Sequence, residues 1–111
     1  GIDLNVRSNN AIKSYKNMQS IFQKTKSQRI LGSAILENVF VASGNLDAYI
    51  APSKQLRTFD CLPAIFIAKS SGAYIKFLEN NEKINLFSEN RVSYILAATK
   101  ILGNAILKEI F

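Results

Sequence analysis

The stretch Leu56–Ile65, LRTFDCLPAI, joins a polar, basic segment to an apolar helix and sets one carboxylate, Asp60, at the junction. Downstream of it, Phe59 to Ser71 carries Leu62, Ile65, Phe66 and Ala68 at helical spacing, which predicts a helix with those four inward. Pro63 is tolerable there only near the helix start, because it has no N–H and crowds the preceding turn. Upstream, Leu46 to Ala51 reads as a strand and Pro52 to Thr58 as a loop. A strand followed by a helix is half of an α/β unit, and the flanking segments repeat the pattern.

Before that strand, Gly32 and Ser33 turn the chain into a helix with Ile35, Leu36, Val39, Phe40 and Ala42 on one broad face, closed by Gly44. Gln28 to Leu31 predicts a short strand. Asn9 and Asn10 are candidate caps for a helix through Ile12, Tyr15, Met18 or Gln19, and Phe22, ending near Lys24 to Ser27. Alternation at Ile2, Leu4 and Val6 predicts a strand already under way at residue 1. After Gly72, Ala73 to Leu78 and Lys83 to Phe87 flank Glu79-Asn80-Asn81-Glu82 as a hairpin without the usual turn glycine. Arg91 to Ala97 is the last predicted strand, and Ala98 to Phe111 an amphipathic helix through Leu102, Ile106 and Ile110, with Gly103 a weak spot. The expected fold is α/β: a layered α-β-α sandwich, one domain over residues 1–111, with a mixed central sheet and helices on both faces.

Composition narrows the chemistry. With no histidine and one cysteine, Ser-His-Asp and Cys-His triads and most zinc sites are excluded. Cys61 lies in an apolar pattern and reads as a buried thiol. No apolar run reaches a membrane span and no signal-like segment opens the chain, so a cytoplasmic protein without membrane contact is expected. The net charge of +6 is local: residues 1–29 hold six basic groups against Asp3, whereas residues 30–111 carry eight basic and seven acidic groups. A basic patch could meet phosphate, but no aromatic-basic interleaving accompanies it, and nucleic acid is not the expected partner.

Two clusters can carry chemistry. Arg29-Ile30-Leu31-Gly32-Ser33-Ala34 ends a predicted strand and begins a helix, where free backbone N–H groups favour anions and a glycine permits close approach. Equally, Gly32 can serve only the turn and Ser33 only the cap. Arg57 and Asp60 form the second cluster. Asp60 suits a helix N-terminus through the helix dipole alone, and as a carboxylate it also suits a hard cation such as magnesium, which demands oxygen ligands.

The order R-x-x-G-S-A from Arg29, then VASGNLDAY (Val41–Tyr49), then Phe59-Asp60, then a helix ending in Ser-Gly, resembles the C-terminal half of the inositol monophosphatase and fructose-1,6-bisphosphatase superfamily. The L-R-x-x-D form at Leu56–Asp60 looks most like its archaeal branch. By that resemblance Asp60 is a magnesium ligand, Gly32, Ser33 and Ala34 contact substrate through the backbone, and Arg29 contacts a substrate phosphate. Arg57 is a weaker substrate-binding candidate. The expected activity is Mg2+-dependent hydrolysis of a sugar or inositol phosphate monoester. The superfamily's Asp-Pro-x-Asp-Gly-Thr and Gly-x-Glu segments have no counterpart here, so no complete catalytic set lies in this chain, which alone is expected to be inactive. The expected partners are the missing N-terminal half of the same enzyme, the small-molecule substrate and a second copy in a homodimer. A strand starting at residue 1 without an initiator methionine fits a chain cut between the two halves.

The departures are Cys61-Leu62-Pro63-Ala64 where the family keeps small residues, Ile50-Ala51-Pro52-Ser53 where it places a sugar-binding acid, and Ser70-Ser71-Gly72-Ala73 for Glu-Ala-Gly-Gly. They motivate a rival reading, a non-catalytic phosphate- or nucleic-acid-binding module on the same fold.

Overall fold

The structure, a computed structural model, describes residues 1–3, 9–78 and 91–110. Three strands, β1 (Ala48–Arg57), β2 (Tyr74–Phe77) and β3 (Arg91–Ala97), form an antiparallel sheet in the order β1-β3-β2. Ile2 adds a parallel bridge to Ile50 on the free side of β1, with the Ile50 N–H donating to Gly1 O and the Asp3 N–H to Ile50 O, each at 2.9 Å. The assembly is therefore mixed in direction.

Period-2 alternation divides two cores between its faces. Tyr49, Ala51, Val92, Tyr94 and Leu96 point to one side, under α3 (Ala34–Ala42) and α4 (Thr58–Ser70), where they meet Val41, Cys61, Ile65 and Ala68. Ile2, Ile50 and Ile95 point to the other, where Met18, Ile21 and Ile106 close over them. Met18 joins α1 (Asn9–Lys16) to α2 (Gln19–Lys24), and Ile106 belongs to α5 (Lys100–Ile110). The expected α-β-α layering is present.

Several local expectations need correction. Pro52 to Arg57 is strand, not loop: β1 continues through an irregularity in which the step from Ala51 to Leu56 faces only Tyr94 to Val92 on β3. Pro52, unable to donate to a ladder, stands where that irregularity begins. Gln28–Leu31 is not a strand; among the described residues its backbone tie to the sheet is one bond, Ile2 N–H to Arg29 O at 3.0 Å. The first helix is two helices, and Met18 and Ile21 are buried where Ile12 and Phe22 are exposed.

In α3 the buried residues are Glu37, Asn38 and Val41, while Ile35 and Leu36 face outward. The helix is apolar nearly all round, so periodicity did not choose its face. In α4 the small residues Cys61, Ala64 and Ala68 turn inward and Phe66 is 73% exposed. Asn9 and Asn10, expected as caps, are instead the first two residues of α1; Leu4 and Val6, the Lys83–Phe87 arm and Phe111 lie outside what the structure describes.

Candidate functional site

The chain passes from β1 to α4 without a loop: Arg57, extended at φ −76° and ψ 149°, caps a helix whose first residue is Thr58. Asp60 is therefore the third residue of α4, in the turn whose N–H groups lack intrahelical acceptors. It is exposed, and no hydrogen bond or ion pair holds its carboxylate among the described residues. Arg57 is also exposed, its guanidinium 5.6 Å from the centroid of the Phe59 ring, a cation–π distance.

Gly32 has φ +77°, a conformation glycine enters freely, and a side chain there would meet open space. Thus the left-handed turn, not crowding, demands the glycine. Ser33 caps α3, its Oγ accepting from the Leu36 N–H at 3.2 Å while its carbonyl accepts from the Glu37 N–H at 3.0 Å. The N–H groups of Ala34 and Ile35 precede the intrahelical ladder, so the turn is an anion-facing surface.

Tyr94 brings these two helix starts together. Its hydroxyl, fully buried on β3, accepts from Asn38 Nδ2 at 2.7 Å, and Asn38 is in the second turn of α3. The Cys61 thiol, in the first turn of α4, lies beside the same hydroxyl and donates to Arg57 O at 3.4 Å. Both helices pack against each other above this point. The Gly32–Ala34 turn and Asp60 consequently share one end of the helical layer.

Burial pushes the Tyr94 hydroxyl well above the ordinary tyrosine range, reinforced by the neighbouring thiol. Burial, then the Asp60 charge, pushes the Cys61 thiol up to about 12. Cys61 is a packed neutral thiol, as its apolar context implied. Leu62 and Pro63, two of the departures from the family pattern, are half-buried and exposed respectively, while the small side chains of this helix face the core.

Arg29 is placed elsewhere. Its backbone is level with Ile2, and Ile2 with Ile50, seven residues before β1 ends at Arg57. Because the irregularity shortens β1, Ile50 and Arg57 face Ile95 and Arg91, four residues apart on β3, a separation on the order of 13 Å. The guanidinium donates to Gln28 O at 2.9 Å and lines a groove beside Gly1, Asp47 and Ala48. Gly32, Ser33 and Ala34 thus stand at the start of α3, Arg57 and Asp60 at the start of α4, and Arg29 three residues before Gly32 with its guanidinium turned to Gln28 O and the groove.

For a divalent cation the donor chemistry at Asp60 fits, being an exposed, uncommitted carboxylate. It is one ligand, however: no group of three or more His, Cys, Asp or Glu able to hold a metal occurs among the described residues. Magnesium is commonly held by one or two carboxylates together with water and substrate phosphate, so Asp60 can contribute to such a site without completing it. Tyr94 and Asn38, on which the arrangement depends, were not singled out from sequence. The one signal for Asn38 was a polar residue inside an otherwise apolar helix.

No protein-family model matches the chain. Two curated archaeal proteins do, both named fructose-1,6-bisphosphatase/inositol-1-monophosphatase. The protein from Archaeoglobus fulgidus is 33% identical over 82 residues, 68% of this chain and 32% of its own length. That from Methanocaldococcus jannaschii is 32% identical over 91 residues, 81% of this chain and 36% of its own. The chain thus spans about a third of the curated relatives it matches. Among solved structures, a hypothetical Pyrococcus horikoshii protein described as having similarities to inositol-1 monophosphatase superposes with a TM-score of 0.76 at 28% identity, over 99% of this chain and 42% of that one. The inositol monophosphate-bound SaIMPase-II structure gives 0.70 at 25% identity, over 95% and 39%.

Proposed function

The chain is related in sequence and fold to one part of the fructose-1,6-bisphosphatase and inositol monophosphatase superfamily, and from that premise we propose that it is the C-terminal, substrate-side domain of a Mg2+-dependent phosphatase acting on a sugar or inositol phosphate monoester. What supports the reading is that the starts of α3 and α4, which carry the Gly32–Ala34 turn and the uncommitted Asp60 carboxylate, are tied through Asn38 and Cys61 to one residue, Tyr94.

In this mechanism Asp60 supplies an oxygen ligand. Bound Mg2+ contributes Lewis-acid polarisation of the phosphoryl group and a lowered pKa for bound water. The Ala34 and Ile35 amides and the Arg57 guanidinium orient the anionic substrate, fixing it before attack. The remaining ligands and the base that activates water come from the rest of the enzyme, so the isolated chain binds without turnover. Arg29, whose guanidinium donates to Gln28 O, is given no role in this set.

Apolar side chains are exposed on three helices, notably Ile35, Leu36, Phe66 and Ile67 on α3 and α4 and Ile101 on α5. We assign these surfaces to contacts with the N-terminal half and with a second copy.

The test is phosphate release from inositol 1-phosphate and fructose 1,6-bisphosphate by the full-length protein and its Asp60→Asn variant. Loss of a charged metal ligand is expected to lower turnover by about 100-fold or more, while stability to urea falls by no more than the helix-dipole share of about 0.3–1 kcal/mol, because Asp60 is exposed and has no ion-pair partner among the described residues. Undiminished turnover removes Asp60 from the mechanism.

A further inference from the structure

The basic excess of the first 29 residues is not absorbed by the Asp60 end. Part of it gathers around a groove of about 620 Å³ formed by α2, the Thr25–Arg29 segment, the approach to β1 and α5. Its lining includes Gly1, Asn45 and Asp47, at the beginnings of the two parallel backbone segments. The groove opens on the face of the sheet where Ile50 and Ile95 meet α2 and α5, whereas Asp60 lies in the first turn of the helix over the opposite face, about 13 Å further along β1. The groove is therefore separate from the site above, and what it binds does not depend on the phosphatase reading.

Its floor is apolar, made by Ile21, Ile50, Leu102 and Ile106. Its walls carry Lys24, Lys26 and Arg29 against one carboxylate, Asp47. Lys24 is already committed to Glu109, Nζ to Oε1 at 2.5 Å. Lys26 and Arg29 have no carboxylate partner among the described residues. The Gly1 ammonium of the same lining is committed to Ala48 O at 2.7 Å; setting it aside, two available cations opposed by one carboxylate leave a net attraction of about one charge, which suits a single negative charge better than a polyanion. The planar Arg29 guanidinium matches two oxygens of a carboxylate. The volume lies within the roughly 300–1,000 Å³ of small-molecule sites, and an apolar floor with a few polar groups on the rim is their usual composition.

We propose that this groove is a second ligand site, for a small amphipathic carboxylate whose apolar or aromatic body lies on the isoleucine floor and whose head meets Lys26 and Arg29. Head and body both contribute, so neither fragment alone binds well. Because the head contacts are solvent-exposed, affinity falls as salt is raised.

The probe is 1-naphthoate, titrated into the ¹⁵N-labelled full-length protein while the backbone amides of these 111 residues are followed by NMR. The expected result is saturable shifts at Thr25–Arg29 and Asn45–Ala48, with acetate and the neutral 2-naphthalenemethanol each at least tenfold weaker. Lys26→Glu with Arg29→Glu weakens 1-naphthoate at least tenfold and leaves the rest of the spectrum in place, since both side chains are exposed. Shifts confined to Gly32–Ala34 and Asp60, or to the Phe66 face, overturn the proposal, as does affinity indifferent to the double substitution or equal for the neutral analogue. A phosphatase that fails the Asp60 test leaves these outcomes unchanged.

Discussion

Tyr94 links the starts of α3 and α4 through one hydroxyl, so its deletion is felt by both. Tyr94→Phe keeps the ring, which packs against Tyr49 and Phe77 at centroid distances of 5.7 and 5.9 Å, but leaves the buried Asn38 amide without its acceptor. An unsatisfied buried donor costs about 1–3 kcal/mol, so urea unfolding should show destabilisation of that size. Cys61 offers a complementary test. With its thiol raised to about 12 it is almost wholly protonated near pH 8, and it is fully buried. Alkylation by iodoacetamide should be negligible in the native chain and rapid in denaturant; fast native labelling would contradict the packing around Tyr94.

Among the elements, α5 shows how a local preference and a tertiary contact can oppose one another. Gly103 inside a helix reads as a weakness, and replacing it with alanine should add about 1 kcal/mol on helix propensity. In the fold Gly103 is buried against the Tyr74 ring of β2, whose Cε1 would lie 2.6 Å from an added Cβ. Overpacking of that kind costs about 1–3 kcal/mol, so Gly103→Ala is expected to destabilise, measured as a lower Tm. Strand β3 was legible to the residue, because Arg91–Ala97 follows the polar Ser88-Glu89-Asn90 and is rich in β-formers. The turn at Gly32-Ser33 was legible too, for glycine and a capping serine have local causes. The faces of α3 and α4 were not: both are apolar nearly all round, and what selects the inward side is Asn38 reaching Tyr94 and small side chains fitting the sheet. Likewise the register irregularity in β1 depends on β3, some forty residues distant, so Pro52–Arg57 read as a loop.

Across the whole molecule, the pH dependence of stability reports the cluster beneath α3. Glu37 is 1% exposed with Oε1 unpartnered, and burial raises its pKa, opposed by the Leu31 amide and other nearby groups. Burial raises Asp3 as well. A carboxyl raised on folding binds its proton more firmly in the native state, so stability is greatest below the unfolded pKa, about 4.3 for a glutamate, and declines as pH rises through the native value. Glu37→Gln should flatten that decline, seen as a smaller difference in urea midpoint between pH 4.5 and pH 7. Glu109, lowered by its hydrogen bonds from Lys24 and Ser20, works in the opposite direction from a half-buried position. At this scale, too, lies the claim that the 111 residues are one part of a longer phosphatase, whose other part completes the ligand set around Asp60.

The size of the natural protein tests that claim most directly, by immunoblot of source cells with an antibody raised against this chain. A band more than twice the chain's 12.3 kDa is the predicted result. A band at 12.3 kDa would contradict the two-part enzyme and leave a free-standing binding module.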